Sequence, residues 1–469
     1  MVYNGDEVSA LVVDFGSYTT RAGYAGEDCP RVVCPSFYGY TEQGESSANG
    51  HANGGGDEED VNMDGGGTNG VGGKKGRKYY VGDDGVGVWR AGMEVGNFMQ
   101  DGIVNEPEPA SQLLHHILHN RLSVDPKEHP LMITEPAWNT PKAREMIAQM
   151  AFEGEEVPAM YFGSAGVLSA FAAGKPTALV LDVGYANSSA IPVVDGYALR
   201  AGTMRQPLAG QLLTSQIHSN FTHSTSSRPF PLSLLPRHLI AKREPSPLDS
   251  TEMRQPKPVL RDDRLGSTTA SWRSWGENSV VEAWKEACAE VVNVRGYDLA
   301  SATSLPVVNY ELPDGYSKAW GEERYRFSEM LFDPKNYFDQ SIEPPASLRL
   351  AQSSDHSHSL KDLVSLSQLV HDSIMSCDVD VRAALLQNIV VVGNGAGIKG
   401  LTERLDMELA RLMPSQKIKI HSPTVPFEKR YAGWLGGSIL ASLGSFHQLW
   451  VTKDEYEEHG PQIIHQRCK

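Results

Sequence analysis

Residues Ala10 to Gly26 read ALVVDFGSYTTRAGYAG, and residues Ala178 to Asn187 read ALVLDVGYAN. Both stretches follow one scheme: an apolar run, an aspartate, one further residue, a glycine, then small, polar or aromatic residues. Each run is short, β-branched and non-alternating, the pattern of a strand covered on both faces, and the glycine marks a tight turn behind it. A single Asp-x-Gly is most simply a structural turn. Its recurrence implies a duplicated unit with one turn in each half, facing a shared cleft.

A third unit of this kind comes late. IVVVG, Ile389 to Gly393, runs into NGAGIKG and then into a helical stripe of Leu401, Leu405 and Leu409. Helical spacing also links Leu113, Leu114, Ile117 and Leu118, and Leu363, Val364, Leu366, Leu369, Val370 and Ile374. Strands alternating with helices give an α/β architecture. Three glycine turns can then converge on one ligand.

The residues in those turns suit a phosphate and a metal. Successive backbone N–H groups in a Gly-Ser turn make a concave anion nest, so Gly16 and Ser17 can cradle terminal phosphates. Asp14 and Asp182, facing each other, can hold the water shell of a Mg²⁺ ion, which keeps several waters when bound. Arg21 supplies a cation for phosphate oxygens. The G-x-x-x-x-G-K-[ST] pattern is absent, so this is not a P-loop site.

Composition narrows the classes. The 469 residues, 40% hydrophobic, are enough for two or three ordinary domains with real cores. A formal net charge of −16 opposes phosphate backbones and argues against free DNA as the sole partner. Five scattered cysteines without a C-x-x-C pair fit a reducing compartment. The amino terminus lacks a basic region and an apolar core, and no later stretch offers the roughly 20 apolar residues of a span, so a protein neither secreted nor membrane-spanning is expected.

Other motifs carry less. His115 and His119 are spaced to chelate zinc, but without a nearby Cys or a Glu-x-x-His context His115, His116 and His119 read as a solvated helix face. Lys74 to Lys78 (KKGRK) is either a nuclear import signal or a solvated basic run. Ser246-Pro247 is too common a dipeptide to count. Three stretches read as decorations: Thr41 to Gly73 as a disordered Gly-rich acidic loop, and Ser219 to Ser271 and Pro334 to His358 as partly ordered insertions.

Several longer runs resemble the actin family: HPLMITEPAWNTPKARE, VPAMYFGSAGVLSAFAAG, YELPDG, LFDP and RYAGWLGGSILASLGSFHQLWVTKDEYEEHGP. The likeness covers roughly Val8 to Gly39, Tyr79 to Thr214, Val280 to Pro334 and Leu360 to Lys469. Within the family, GDEVSALVVDFGSYTTRAGYAGED, TEPAWN and SCDVDVR are most similar to a nuclear actin-related subunit of chromatin-remodelling and histone acetyltransferase complexes.

The resemblance implies an actin-like ATPase fold, two ribonuclease-H-like halves in four subdomains around a nucleotide cleft, with ATP and Mg²⁺ as cofactors. It divides the chain into a first half at 1–171, a second at 172–375 and a completing segment at 376–469. It places Asp14, Gly16, Ser17, Tyr18, Thr19 and Arg21 on the first phosphate hairpin, and Asp182, Gly184, Tyr185, Ala186 and Asn187 on the second. Gly210 falls on the hinge side, Gly393, Asn394 and Gly395 in the adenosine loop, and Arg430 beside the adenine. Lys285 and Glu286 fall where the family has its base-contacting pair. Asp14 and Asp182 would hold Mg²⁺ through water.

The departures from the family bear on activity. The family's water-orienting glutamine falls on Ala165, counted along a helix that begins at PAMY, and its water-organising histidine falls on Ser189. Tyr185 and Ala186 replace an aspartate and a glycine in the second hairpin. Tyr18 replaces a glycine at the first hairpin's tip, at roughly 1–2 kcal/mol if a left-handed conformation is kept. Positioned acid–base groups contribute about 10²–10⁴-fold in rate, so very slow or no hydrolysis is expected, with ATP bound as a structural ligand.

The acidic loop and the 219–271 segment replace regions with which actin grips its neighbours, so no filaments are expected. The resemblance further implies a nuclear, non-enzymatic subunit that pairs with actin on a helicase-SANT-associated helix of a remodeller ATPase and touches histones, nucleosomes and linker DNA. The groove for such a helix would lie near Ala172, Leu435 and Leu443. The alternatives are an actin-fold ATPase or phosphotransferase, and a cleft filled by Tyr18 and Tyr185.

Overall fold

The computed structural model describes residues 9–42, 76–224, 230–243, 256–292, 304–339 and 362–468. Two sheets repeat one hydrogen-bonding scheme. The strand Leu11–Phe15 pairs antiparallel with Thr19–Tyr24 and parallel with Leu131–Glu135, which runs parallel to Ala159–Ser164. The strand Ala178–Val183 pairs antiparallel with Ser188–Val194 and parallel with Ile389–Val392, which runs parallel to Ile420–His421. The two aspartates occupy matching places: Asp14 lies opposite Arg21 and Thr134, and Asp182 opposite Ser189 and Val392.

The non-alternating runs are explained by burial on both faces. Leu11 and Val13 pack with Leu113, Leu114 and Ile147 on one side of their sheet, whereas Val12 packs with Trp434 and Ala441 on the other. In the second sheet Leu179 and Leu181 join Leu212, Trp284 and Leu366, and Val180 joins Ala170 and Val390. The fully buried Trp434 donates its indole N–H to the Val12 carbonyl at 3.1 Å, so this large side chain enters the core without an orphaned donor.

Two helices join these layers. Ala165–Ala172 follows directly on the strand Ala159–Ser164, and Ala432–Ala441 packs against it. Their approach is closest at Gly436, where a Cβ would lie 1.9 Å from the Leu168 carbonyl oxygen. PAMY therefore opens a strand rather than the expected helix, which starts at Ala165.

Other boundaries also shift. Leu363 and Val364 precede the helix Leu366–Met375. Thr41 belongs to the strand Phe37–Glu42, whose partner Arg77–Tyr80 also takes up part of the basic run; 43–75 lies outside the described residues. The 219–271 segment begins inside the helix Gly210–Thr222 and ends inside Ala270–Cys288. Phe221, within it, is fully buried with its ring 5.0 Å from that of Trp284. Pro334–Tyr337 is helical, whereas 340–361 lies outside the described residues. Phe221 shows the cause in one case: an apolar residue docked in the core lies inside a polar stretch.

Candidate functional site

A cavity of about 800 Å³ lies between the two sheets. Every residue assigned above to the nucleotide, from Asp14 to Arg430, lines it, so three turns far apart in sequence do converge. The volume falls in the ~300–1,000 Å³ range of small-molecule sites.

Its charges are arranged unequally. Asp14 is satisfied: Arg21 donates to it at 2.7 Å and the Thr134 hydroxyl donates to its other oxygen. Asp182 accepts no hydrogen bond and joins no ion pair among the described residues. Burial and the nearby Asp14 charge push its carboxyl up to about 6, against a smaller opposing effect of Arg21. A carboxylate held without a partner beside a second carboxylate is the environment that a hydrated divalent cation relieves, so this donor set fits Mg²⁺.

The turns are shaped by close approach. At Gly16 a Cβ would meet the Thr19 carbonyl oxygen at 2.7 Å and the Arg21 guanidinium at 2.9 Å. Ser36 donates to the Gly16 carbonyl and the Asn97 amide donates to that of Ser17, which holds the turn by its carbonyls. Gly393 combines φ +94° with a Cβ position 2.3 Å from Asp182 Oδ1, so only glycine fits there. On the second hairpin Gly184 N–H bonds the Asn187 carbonyl at 2.9 Å, and the Asn187 side chain hydrogen-bonds Asp101.

Aromatic rings bridge the hairpin tips. The Tyr18 and Tyr185 rings lie 4.8 Å apart, and Phe37 packs edge-on to both. Burial raises both phenols far above their ordinary range, so neither ionises near neutral pH. Tyr18 is not among the residues with positive φ, so the strain expected of a non-glycine at this tip is not incurred.

The other end of the cavity is held by ion pairs. Arg430 bonds Glu286 at 3.1 Å, and Asn394 donates to the same oxygen at 3.4 Å. Lys285 is turned inward, donating to the Gly210 carbonyl at 2.9 Å, Thr214 at 2.7 Å and Glu282 at 2.8 Å. It lines the cavity as a buried, neutralised cation rather than a free one.

Two segments that do not line the cavity are laced together. Gly92 N–H bonds the Ser267 carbonyl at 2.8 Å, Trp89 donates to Thr268 at 3.0 Å, and Val95 N–H bonds Ser271 at 2.8 Å. Arg205 pairs with Asp101 at 2.9 Å and covers the ring of Trp138, which does line the cavity.

The family model described as Actin matches residues 5–469. The chain belongs to the actin family. It is 37% identical to Actin-related protein 4 of Mycosarcoma maydis over 100% of this chain and 99% of that protein. It is 36% identical to the SWI/SNF and RSC complexes subunit arp42 of Schizosaccharomyces pombe, over 99% and 100%. Actin-related protein 4 of Oryza sativa subsp. japonica is 34% identical over the full length of both. The α/β layering and duplicated sheets are those of an actin-like fold, and membership of this family implies nucleotide binding with a divalent cation.

Ala165, first residue of its helix, and Ser189, opposite Asp182 in the sheet, both line the wall. Thr134 and Glu282 were not foreseen from sequence. Glu282 sits one turn before Lys285, an i,i+3 spacing that could have signalled the pair, whereas Thr134 reaches Asp14 only through the parallel pairing of strands distant in sequence.

Proposed function

We propose that the chain is a nuclear, non-polymerising structural subunit of chromatin-remodelling and histone acetyltransferase assemblies that binds Mg-ATP and hydrolyses it little or not at all. The observation carrying this reading is the pairing of Asp14 with an unpartnered Asp182 in a cavity whose water-orienting positions are Ala165 and Ser189. Asp14 and Asp182 would hold the Mg²⁺ ion through water, Gly16, Ser17 and Arg21 the phosphates, and Gly393 to Gly395 with Arg430 the adenosine. The metal supplies charge neutralisation for the triphosphate. Phosphoryl transfer rests almost wholly on positioning, and a methyl group at Ala165 can orient no water.

In this reading 1–171, 172–375 and 376–469 are the first half, the second half and the segment completing the second and returning to the first. The names of the relatives, one a subunit of the SWI/SNF and RSC complexes, support the assembly role. Actin, a helicase-SANT-associated helix, histones and linker DNA are the partners proposed. Phe171, Ile439 and Leu443 are large, exposed and apolar beside Ala172 and Leu435, a surface suited to the apolar face of an amphipathic helix. A phosphotransferase would need a free carboxylate base; Glu135, which also lines the cavity, is held by Arg144 at 3.0 Å and by Asn139.

The test is overnight incubation of the purified chain with Mg-ATP, followed by chromatography of the nucleotide released on denaturation. About one equivalent of intact ATP is expected. Accumulating ADP at enzyme-like rates would establish the ATPase alternative, and nucleotide-free protein with no thermal shift on adding Mg-ATP would establish the tyrosine-filled cleft.

A further inference from the structure

Away from the cleft, the histidines read from sequence as a solvated helix face have a partner that spacing did not reveal. His115 Nδ1 lies 3.3 Å from Glu155 Oε1 and His119 Nε2 lies 2.9 Å from Glu155 Oε2. The two imidazole rings are 4.1 Å apart. One ligand atom from each of the three residues falls within 4.8 Å of the others. We propose that His115, His119 and Glu155 form a site for a divalent transition metal of the zinc type, with its remaining position open to water.

The local backbone assembles this cluster. The helix Pro107–His115 continues as a π-helix over His116–Arg121, and the helix Pro141–Gln149 continues as a second π-helix over Met150–Gly154, directly before Glu155. A π-helix has more residues per turn than an α-helix, which brings i and i+4 side chains nearly into line. Such turns are rare and recur at functional sites. The apolar faces of both segments, Ile117 and Leu118 on one and Met150 and Phe152 on the other, are buried in the same core, so the ligands stand on a fixed base.

The chemistry fits as well. The Glu155 side chain is only 4% exposed, and its oxygens are directed at the two imidazoles. Burying a carboxylate calls for a compensating charge or donors, which a bound cation supplies in full. Zinc bonds to nitrogen and oxygen at about 2.0–2.1 Å in a tetrahedron, which sets ligand atoms about 3.3 Å apart. The His115 to Glu155 separation already matches this, the His119 to Glu155 separation is a few tenths of an ångström shorter, and the three ligand atoms, within 4.8 Å of one another, draw together on binding. Two imidazoles with one carboxylate suit zinc, nickel or copper, and disfavour Mg²⁺ and Ca²⁺, which take oxygen ligands. The His115 side chain is 61% exposed, which leaves the outer side to solvent.

The experiment is zinc titration of the full-length chain in competition with a chromogenic chelator, with excess Mg²⁺ present to occupy the cleft carboxylates. Wild type and Cys29→Ser, which removes the exposed thiol, are expected to hold one equivalent of zinc. Substitution of outer groups that only orient ligands already costs about 10–100-fold in metal affinity, so losing ligands in the His115→Gln/His119→Gln double variant should weaken binding at least 100-fold. Because both histidines are at the surface, folding is preserved and circular dichroism checks it. Substituted Co²⁺ should give visible absorption in wild type that the double variant lacks. Failure of wild type to hold zinc against the chelator, or an equal stoichiometry in the double variant, overturns the proposal.

Discussion

Asp182→Asn should stabilise the chain free of nucleotide and metal, and should remove most of the stabilisation gained on adding Mg-ATP. The first effect follows from the sign of the carboxyl's displacement. Its folded-state value, about 6, lies above the roughly 3.9 of an unfolded aspartate. Between those values the folded chain keeps a proton that the unfolded chain has lost, so stability falls as pH rises from about 4 to about 6, and the full penalty applies above that window. Two units of displacement amount to at most about 3 kcal/mol. A neutral amide that removes the repulsion from Asp14 should recover on the order of 1–2 kcal/mol at pH 7.5.

The second effect follows from linkage. A ligand at 100 times its dissociation constant stabilises the folded state by about 2.7 kcal/mol, and the variant would lose most of this with one of the two carboxylates proposed to hold the metal gone. Denaturation midpoints of both proteins, with and without Mg-ATP, measure both arms. A variant less stable than wild type without ligand would show that Asp182 is held by attractions rather than opposed by Asp14.

Gly436→Ala should be among the most destabilising single-methyl changes in the molecule. The added carbon would sit 1.9 Å from the Leu168 carbonyl oxygen and 2.4 Å from its carbon, against backbone that has no rotamer to adopt. Helices Ala165–Ala172 and Ala432–Ala441 must then separate, and overpacking of this kind costs about 1–3 kcal/mol or more. Gly433→Ala provides the contrast, because its methyl would meet Ala165 at ordinary contact distances of 3.7 Å and beyond. Alanine is favoured over glycine in a helix by about 1 kcal/mol, so this change should be neutral or stabilising. Urea midpoints of opposite sign for the two variants are expected, and a tolerated Gly436→Ala would mean that the crossing is loose.

How much of this was legible in the chain depends on range. The strands at Ala10 and Ala178 could be read because burial on both faces leaves a continuous apolar run, and their repetition exposed the duplication. The residues lining the cavity could be named in part from the repeated Asp-x-Gly turns and, for Gly210, Lys285, Glu286 and Arg430, only from the resemblance to the actin family. What could not be read were pairings between distant segments. Thr134 meets Asp14 through strand register, and Asp101 meets Arg205 and Asn187 from a distant part of the chain. Glu155 meets His119 across 36 positions. Insertion boundaries were misplaced for a related reason: Phe221 lies in a polar stretch, and only its docking against Trp284 and Trp320 shows that order extends there.

The lacing of two remote segments carries a mechanical consequence. Trp89, Gly92 and Val95 on one and Ser267, Thr268 and Ser271 on the other are tied at three points, so neither segment shifts without the other. A strain applied to either one is thereby carried to residues more than 170 positions away along the chain.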